Sequence, residues 1–181
     1  MKLVENHEVI SAQSQAAREV QLLIDATDME SSEDRKRTKN YCDWVSKKTQ
    51  IVRDEKSFDY NADIYKKVKR GTVIWIEFGF NIGDEFGGKH PAIVLRKTGS
   101  SVFVIPLSSK EPTQVKPHHV KIEKVYGFKN ITRWANVLRL INVSLQRVDT
   151  TASIGNVKGA DLDRINDAIK KDNIVLFGAY P

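Results

Sequence analysis

The side chains in this sequence most able to move a proton are its histidines, and three of the four lie from mid-chain onward, at His90, His118 and His119. An imidazole titrates near neutral pH and can serve as general base or general acid. His90 directly precedes Pro91 and follows a polar stretch carrying Gly83, Gly87 and Gly88, a composition that makes a mobile loop and lets a ligand come close to the backbone. A lone histidine beside a proline is also a common structural residue, so its type alone leaves both uses open. The adjacent His118 and His119 offer a second acid/base pair or the entry to a strand. The single cysteine, Cys42, has no partner for an internal disulfide or a zinc knuckle, so neither a metal site nor a cofactor is expected.

Charge says what such groups would act on. Residues 1–67 hold 12 Lys/Arg against 13 Asp/Glu, whereas residues 68–181 hold 17 against 10, so the net charge of +6 belongs to the C-terminal part. Lys and Arg gain affinity for a polyanion by neutralising phosphates and releasing counterions, and a basic surface that is merely solvated is the plain alternative. The chain is 40% hydrophobic and 29% charged, within the range of folded proteins. No apolar run reaches the roughly 18 residues of a membrane span, and Glu5, His7 and Glu8 interrupt the start where a signal peptide would be apolar. A cytoplasmic location without membrane association is the expectation.

The elements that must position these groups fall into two regions. Residues 1–66 contain no glycine or proline, and Val9, Ala16, Ala17, Val20, Leu23 and Ile24 recur near helical spacing. After a polar patch, Tyr41, Trp44, Val45, Ile51 and Val52 form a second face, with Ser31 or Ser32 as its N-cap. Either a helical hairpin or one long helix satisfies the pattern, in an extension of residues 1–66 too small to bury much by itself.

At Gly71 the period changes to two. Val73, Trp75 and Phe78 interleave with Ile74 and Ile76 in a strand. Further strands are expected over 92–96, 102–107 and 119–122, followed by a mostly apolar stretch over 131–141. Leu162, Ile165 and Ile169 then mark a helix over 159–171, with Asp161 near its start and Lys170 and Lys171 at its end. A short apolar tail covers 174–177. Residues 67–181 thus read as a small, mainly β domain of the α+β class, a barrel with a C-terminal helix.

Two stretches narrow this reading. Arg70-Gly-Thr-Val-Ile-Trp-Ile-Glu-Phe-Gly79 and Gly83-Asp-Glu-Phe-Gly-Gly-Lys-His-Pro-Ala-Ile-Val-Leu95 closely resemble the opening of MazF/PemK family toxins. There an R-G-D-[IV]-[VY]-W-V strand is joined by a G-x-E-x-G-G loop to an R-P-[AV] strand. The likeness continues through Pro106-Leu-Ser-Ser-Lys110 and His119-Val-Lys-Ile122, through a core strand over 137–148, and through Ile154-Gly-Asn-Val-Lys-Gly-Ala-Asp-Leu-Asp163. It covers about residues 69–171 and leaves the N-terminal helices outside.

The resemblance implies an SH3-like barrel of the CcdB/MazF type, usually a homodimer, that cuts single-stranded RNA such as mRNA without metal. In that reaction a ribose 2′-hydroxyl attacks the adjacent phosphorus, and an antitoxin protein holds the activity in check. The family's serine or threonine role falls on Ser108, with Ser109 beside it, and its catalytic arginine position holds His90. Lys89 and Lys110 flank these two and Arg70 opens the first strand, so all three become candidate phosphate contacts. Phe80 and Phe86 become loop aromatics for base stacking, with core packing as the rival use. Glu85, in the G-x-E slot, either accepts from a base edge or orders the loop. Because histidine replaces the family arginine, a non-catalytic binding or regulatory module is the alternative, and the same barrel also serves a family of gyrase poisons.

Overall fold

The computed structural model describes residues 2–171, with side chains from residue 6 onward; the apolar tail over 174–177 lies outside this range. The chain forms two compact units that divide between Arg53 and Asp54.

The first unit is two helices, α1 (Lys2–Asp25) and α2 (Ser32–Asp54), broken by the turn at residues 26–31. The chain therefore takes the two-helix form of the two that the sequence allowed. Ser31 caps α2, its Oγ accepting from the Asp34 amide at 3.2 Å, and Glu33 and Asp34 complement the positive end of the helix dipole. The hydroxyls of Thr27 and Thr38 meet at 2.7 Å and tie the turn to α2. None of the residues of α2 is fully buried.

The second unit begins with a short helix, α3 (Asp63–Lys66), and a seven-stranded antiparallel sheet curled into a half-barrel. Its strands are β1 (Thr72–Glu77), β2 (Lys89–Thr98), β3 (Ser101–Ser108), β4 (His119–Ile122), β5 (Arg133–Asn136), β6 (Ile141–Ser144) and β7 (Gly155–Asn156). The order is β4-β5-β3-β2-β1-β7, with β6 also paired to β3. The curl comes from β3, whose first half pairs with β6 and whose last two residues pair with β5. The Val137–Val148 stretch is accordingly not one core strand. Single-turn 3-10 helices at Val137–Arg139 and Leu145–Arg147 interrupt it, because the chain must pass from one partner segment of β3 to the other.

Alternation along the strands builds two cores. Ile74, Ile76, Ala92, Val94, Val102 and Val104 lie on one face, and Val73, Ile93, Ile105 and Leu107 on the other. Helix α4 (Gly159–Lys171) covers the second face with Ile165 and Ala168, as its spacing predicts. Gly155 is required by this packing, since a Cβ there would lie 2.6 Å from Val125 Cγ1 and 2.9 Å from the Phe128 ring.

The first core is closed by residues that the helical reading of 1–66 had grouped with the extension. Tyr65 is 4% exposed, and Phe58, Tyr60 and Ile64 pack beside it. Phe58 and Tyr60 meet edge-on at 4.7 Å. Residues 54–66 are therefore part of the barrel unit, held there by burial of their aromatic rings. Removing residues 1–53 is expected to leave a cooperatively unfolding barrel, whereas removing 1–66 should destabilise it by about 3–5 kcal/mol through loss of Tyr65 alone. Thermal denaturation of the two truncations side by side checks this.

Candidate active site

β1, β2 and β3 run antiparallel, with Ile76 opposite His90 and Ala92 opposite Pro106. Carrying the second register on by two residues brings His90 to the end of β3 that holds Ser108. The His90 ring hydrogen-bonds to the Leu107 backbone, which ties the two strand ends together. Ser108 itself is held by a local turn, its Oγ accepting from the Lys110 amide at 2.9 Å.

The glycine-rich segment after β1 is pinned rather than loose. The Phe78 amide donates to the Gly88 carbonyl at 2.8 Å, and the Gly88 amide to the Gly79 carbonyl at 2.7 Å. The Asn81 amide group donates to the Phe86 carbonyl, and the Ile82 amide to Glu85 Oε2 at 3.2 Å. Gly87 permits this closure, since a Cβ would sit 2.7 Å from the Gly79 carbonyl oxygen. Glu85 thus orders the loop.

The closure delivers Phe86 to His90. Their ring centroids are 4.6 Å apart, and the other edge of Phe86 meets Phe78 at 5.3 Å, so Phe86 packs on the rim of the first core. Arg139 stands over the same ring, its guanidinium carbon 5.0 Å from the centroid. It ends the 3-10 turn between β5 and β6, a turn capped by Asn136 Oδ1 accepting from the Leu138 amide at 3.0 Å. Because both flanking strands pair with β3, this turn carries Arg139 to the His90 end of the sheet.

Burial lowers the His90 pKa below its ordinary value, and the Arg139 charge pushes the same way. The Leu107 hydrogen bond and the Glu77 carboxylate oppose this without cancelling it. The ring is therefore mainly neutral at pH 7, the form that accepts a proton. A neutral imidazole, an exposed guanidinium and a serine hydroxyl at neighbouring strand ends can take a proton from a hydroxyl and steady charge developing on a phosphate.

The other residues proposed from sequence are placed differently. Lys89 pairs with Asp149 at 2.5 Å, a contact that holds the Asp149 carboxyl far below the usual range. Arg70 lies at the opposite end of β1 from His90, with Nη2 3.3 Å from Asn166 Oδ1 of α4. Phe80 is half-buried, and Ser109 and Lys110 are exposed just beyond Ser108. His119 Nδ1 accepts from the Lys116 amide at 3.1 Å and its ring meets His118 edge-on at 4.4 Å, so this pair shapes the entry to β4. Arg139 was not among the candidates because 131–141 reads as a mostly apolar stretch. Its signal was a cation set between Leu138 and Leu140.

The model of PemK-like, MazF-like toxins of type II toxin-antitoxin systems matches residues 69–171. The chain belongs to this family. No curated protein sequence matches it. Among solved structures it is similar to an endoribonuclease from a mycobacterial species, at 14% identity and a TM-score of 0.44, over 61% of this chain and 95% of that one. MazF from Deinococcus radiodurans aligns at 16% identity and a TM-score of 0.47, over 57% and 94% of the two chains. The MazE-MazF structure from the same organism aligns at 17% identity and a TM-score of 0.43, over 62% and 97%. The match to the toxin family takes in His90, Phe86, Ser108 and Arg139, and leaves out α1, α2 and the Phe58–Tyr65 cover of the first core. Among the described residues of this PemK/MazF-like chain, no helix is long and apolar enough to cross a membrane.

Proposed function

We propose that the barrel unit is a metal-independent endoribonuclease that cuts single-stranded RNA, acting as the toxin of a toxin-antitoxin pair. The observation that carries this reading is the neutral His90 ring beside the Arg139 guanidinium, at the strand end that also bears Ser108. His90 takes the proton of a ribose 2′-hydroxyl as its oxygen bonds to phosphorus. Arg139 and the Ser108 hydroxyl stabilise the equatorial charge, and the bond to the 5′-oxygen breaks to leave a 2′,3′-cyclic phosphate. The departing 5′-oxygen takes its proton from solvent. A homodimer and an antitoxin protein complete the proposal by family membership.

Incubating purified protein with a long unstructured RNA in the presence of a chelator, and mapping the new 5′ ends, tests it directly. Intact RNA after prolonged exposure at high enzyme concentration would favour the non-catalytic module instead. That second reading has one observation behind it: the His90 ring is engaged by Phe86 and by the Leu107 backbone, as a structural residue would be.

The pH profile gives a sharper check. A base with a lowered pKa is active above that pKa, so kcat/KM should rise with pH through an inflection below the ordinary histidine value of about 6.5 and then level off. The Glu77 carboxylate raises the His90 pKa, so Glu77→Gln should move the inflection to lower pH. An inflection that stays put in that variant would detach the profile from His90.

A further inference from the structure

The end of the sheet opposite His90 carries a surface that the cleavage chemistry does not use. Thr72 of β1 pairs with Asn156 of β7, and Asn156 in turn pairs with Tyr126 through backbone hydrogen bonds of 2.8 and 2.9 Å. Directly paired residues point to the same side of a sheet, so Thr72, Asn156 and Tyr126 form a row across three chain segments. Thr72 and Asn156 line an open cavity of about 700 Å³ whose rim holds Lys66, Lys67 and Lys69.

Beside Asn156, which lines the cavity, its pairing partner Tyr126 carries a basic aromatic platform. Tyr126 is 38% exposed, with Lys124 Nζ 5.2 Å and Lys158 Nζ 5.6 Å from its ring centroid. Lys158 also hydrogen-bonds to Tyr126. Of the neighbouring carboxylates, Asp63 pairs with Lys66 at 2.7 Å, and Asp161 pairs with Arg164 at 2.5 Å while its other oxygen accepts from the Lys158 amide at 3.1 Å. Among the described residues no carboxylate pairs with Lys67, Lys69 or Lys124, so two unpaired ammonium groups line the cavity and a third lies beside the exposed ring.

Unpaired lysines along a groove with an accessible aromatic ring are what single-stranded nucleic acid binders use, phosphates meeting the cations and a base meeting the ring. An acidic polypeptide would satisfy the lysines but has no use for the platform. The surface lies on the same face of β1 as Ile74 and Ile76, roughly 13 Å along the strand from the residue paired with His90. A strand held at both places would span more than the nucleotides being cut.

We propose that Lys67, Lys69, Lys124, Tyr126 and Lys158 form a second site for single-stranded RNA, which grips the substrate away from the cleavage point. This rests on the RNA-cleaving reading above. The test uses the full chain, a long unstructured RNA and a short oligonucleotide that contains the cleaved sequence. In a Lys67→Ala, Lys69→Ala, Lys124→Ala triple variant, the slope of log affinity against log salt for the long RNA should fall in magnitude by about 2, at roughly 0.7 per lost phosphate contact. In Tyr126→Ala, KM for the long RNA should rise roughly tenfold with kcat unchanged, and cleavage of the short oligonucleotide should not change.

The substituted side chains are exposed, and thermal denaturation of each variant confirms that folding is intact. Wild-type cleavage with unchanged KM and salt slope in both variants would overturn the second site and leave the nuclease standing. Wild-type binding of long RNA without cleavage, weakened in both variants, would support the site and overturn the nuclease. Binding to polyglutamate with none to RNA would assign the surface to an acidic protein and overturn the proposal.

Discussion

His90→Ala is expected to lower kcat for RNA cleavage by roughly 10²–10⁴-fold, the usual contribution of a positioned general base. The effect should fall on kcat more than on KM, because the ring's part in the reaction is to accept a proton rather than to hold the substrate. His90 is half-buried against Phe86, so the variant also loses packing, and thermal denaturation must show that the barrel persists. His90→Gln controls for shape: it keeps hydrogen-bonding capacity toward the Leu107 backbone but cannot take up a proton near neutral pH. Equal loss in both variants identifies proton transfer as the missing function. If His90→Gln cleaves at the wild-type rate, the imidazole is structural and the base must be sought elsewhere.

Arg139→Gln comes second, with an expected fall in kcat of about 10²–10³-fold, comparable to losing one preorganised donor to a developing oxyanion. The guanidinium is exposed above Phe86, so its removal should cost little stability. Arg139→Lys should recover part of the rate, since it restores the charge but not the planar fork that suits phosphate. A second consequence separates a site residue from a remote one. Arg139 lowers the His90 pKa, so its neutralisation should raise that pKa and move the acid limb of the rate profile to higher pH. A reduced rate with an unmoved limb would mean that Arg139 acts away from His90.

These two residues restate the departure from the family pattern in physical terms. The position before Pro91 holds a titrating ring in place of a fixed cation, and Arg139 stands nearby on the turn between β5 and β6. On the proposed reading, a permanent charge and a proton acceptor are divided between two side chains. Arginine at position 90 would restore the charge but has no accessible neutral form.

Much of the fold was legible in the residues. Period-two alternation around Ile74 and Ile76 marks β1 because a strand in a two-sided sheet must present opposite faces to two cores. The Leu162, Ile165 and Ile169 spacing marks α4 because its apolar stripe has to meet the sheet. Ser31 or Ser32 reads as a cap because a hydroxyl there satisfies an amide that the first turn of α2 leaves open, and the structure uses Ser31.

Where neighbouring segments compete for one strand, local pattern fails. The break of 137–148 follows from β3 serving β5 and β6 in turn, which no window of sequence contains. The same holds for Phe58 and Tyr65, which the glycine- and proline-free stretch of 1–66 groups with the helices although they close a β core.

The sequence by itself determined the alternation that makes the half-barrel, the family to which it belongs, and His90 and Ser108 as the candidate pair. Only the tertiary structure decided that Arg139 stands over Phe86 beside His90, that Arg70 lies at the other end of β1, and that Asn156 links the lysine-lined cavity to Tyr126. The reason is physical: periodicity records which face of its own element a side chain occupies, whereas proximity between elements depends on strand register and on the turns that connect them.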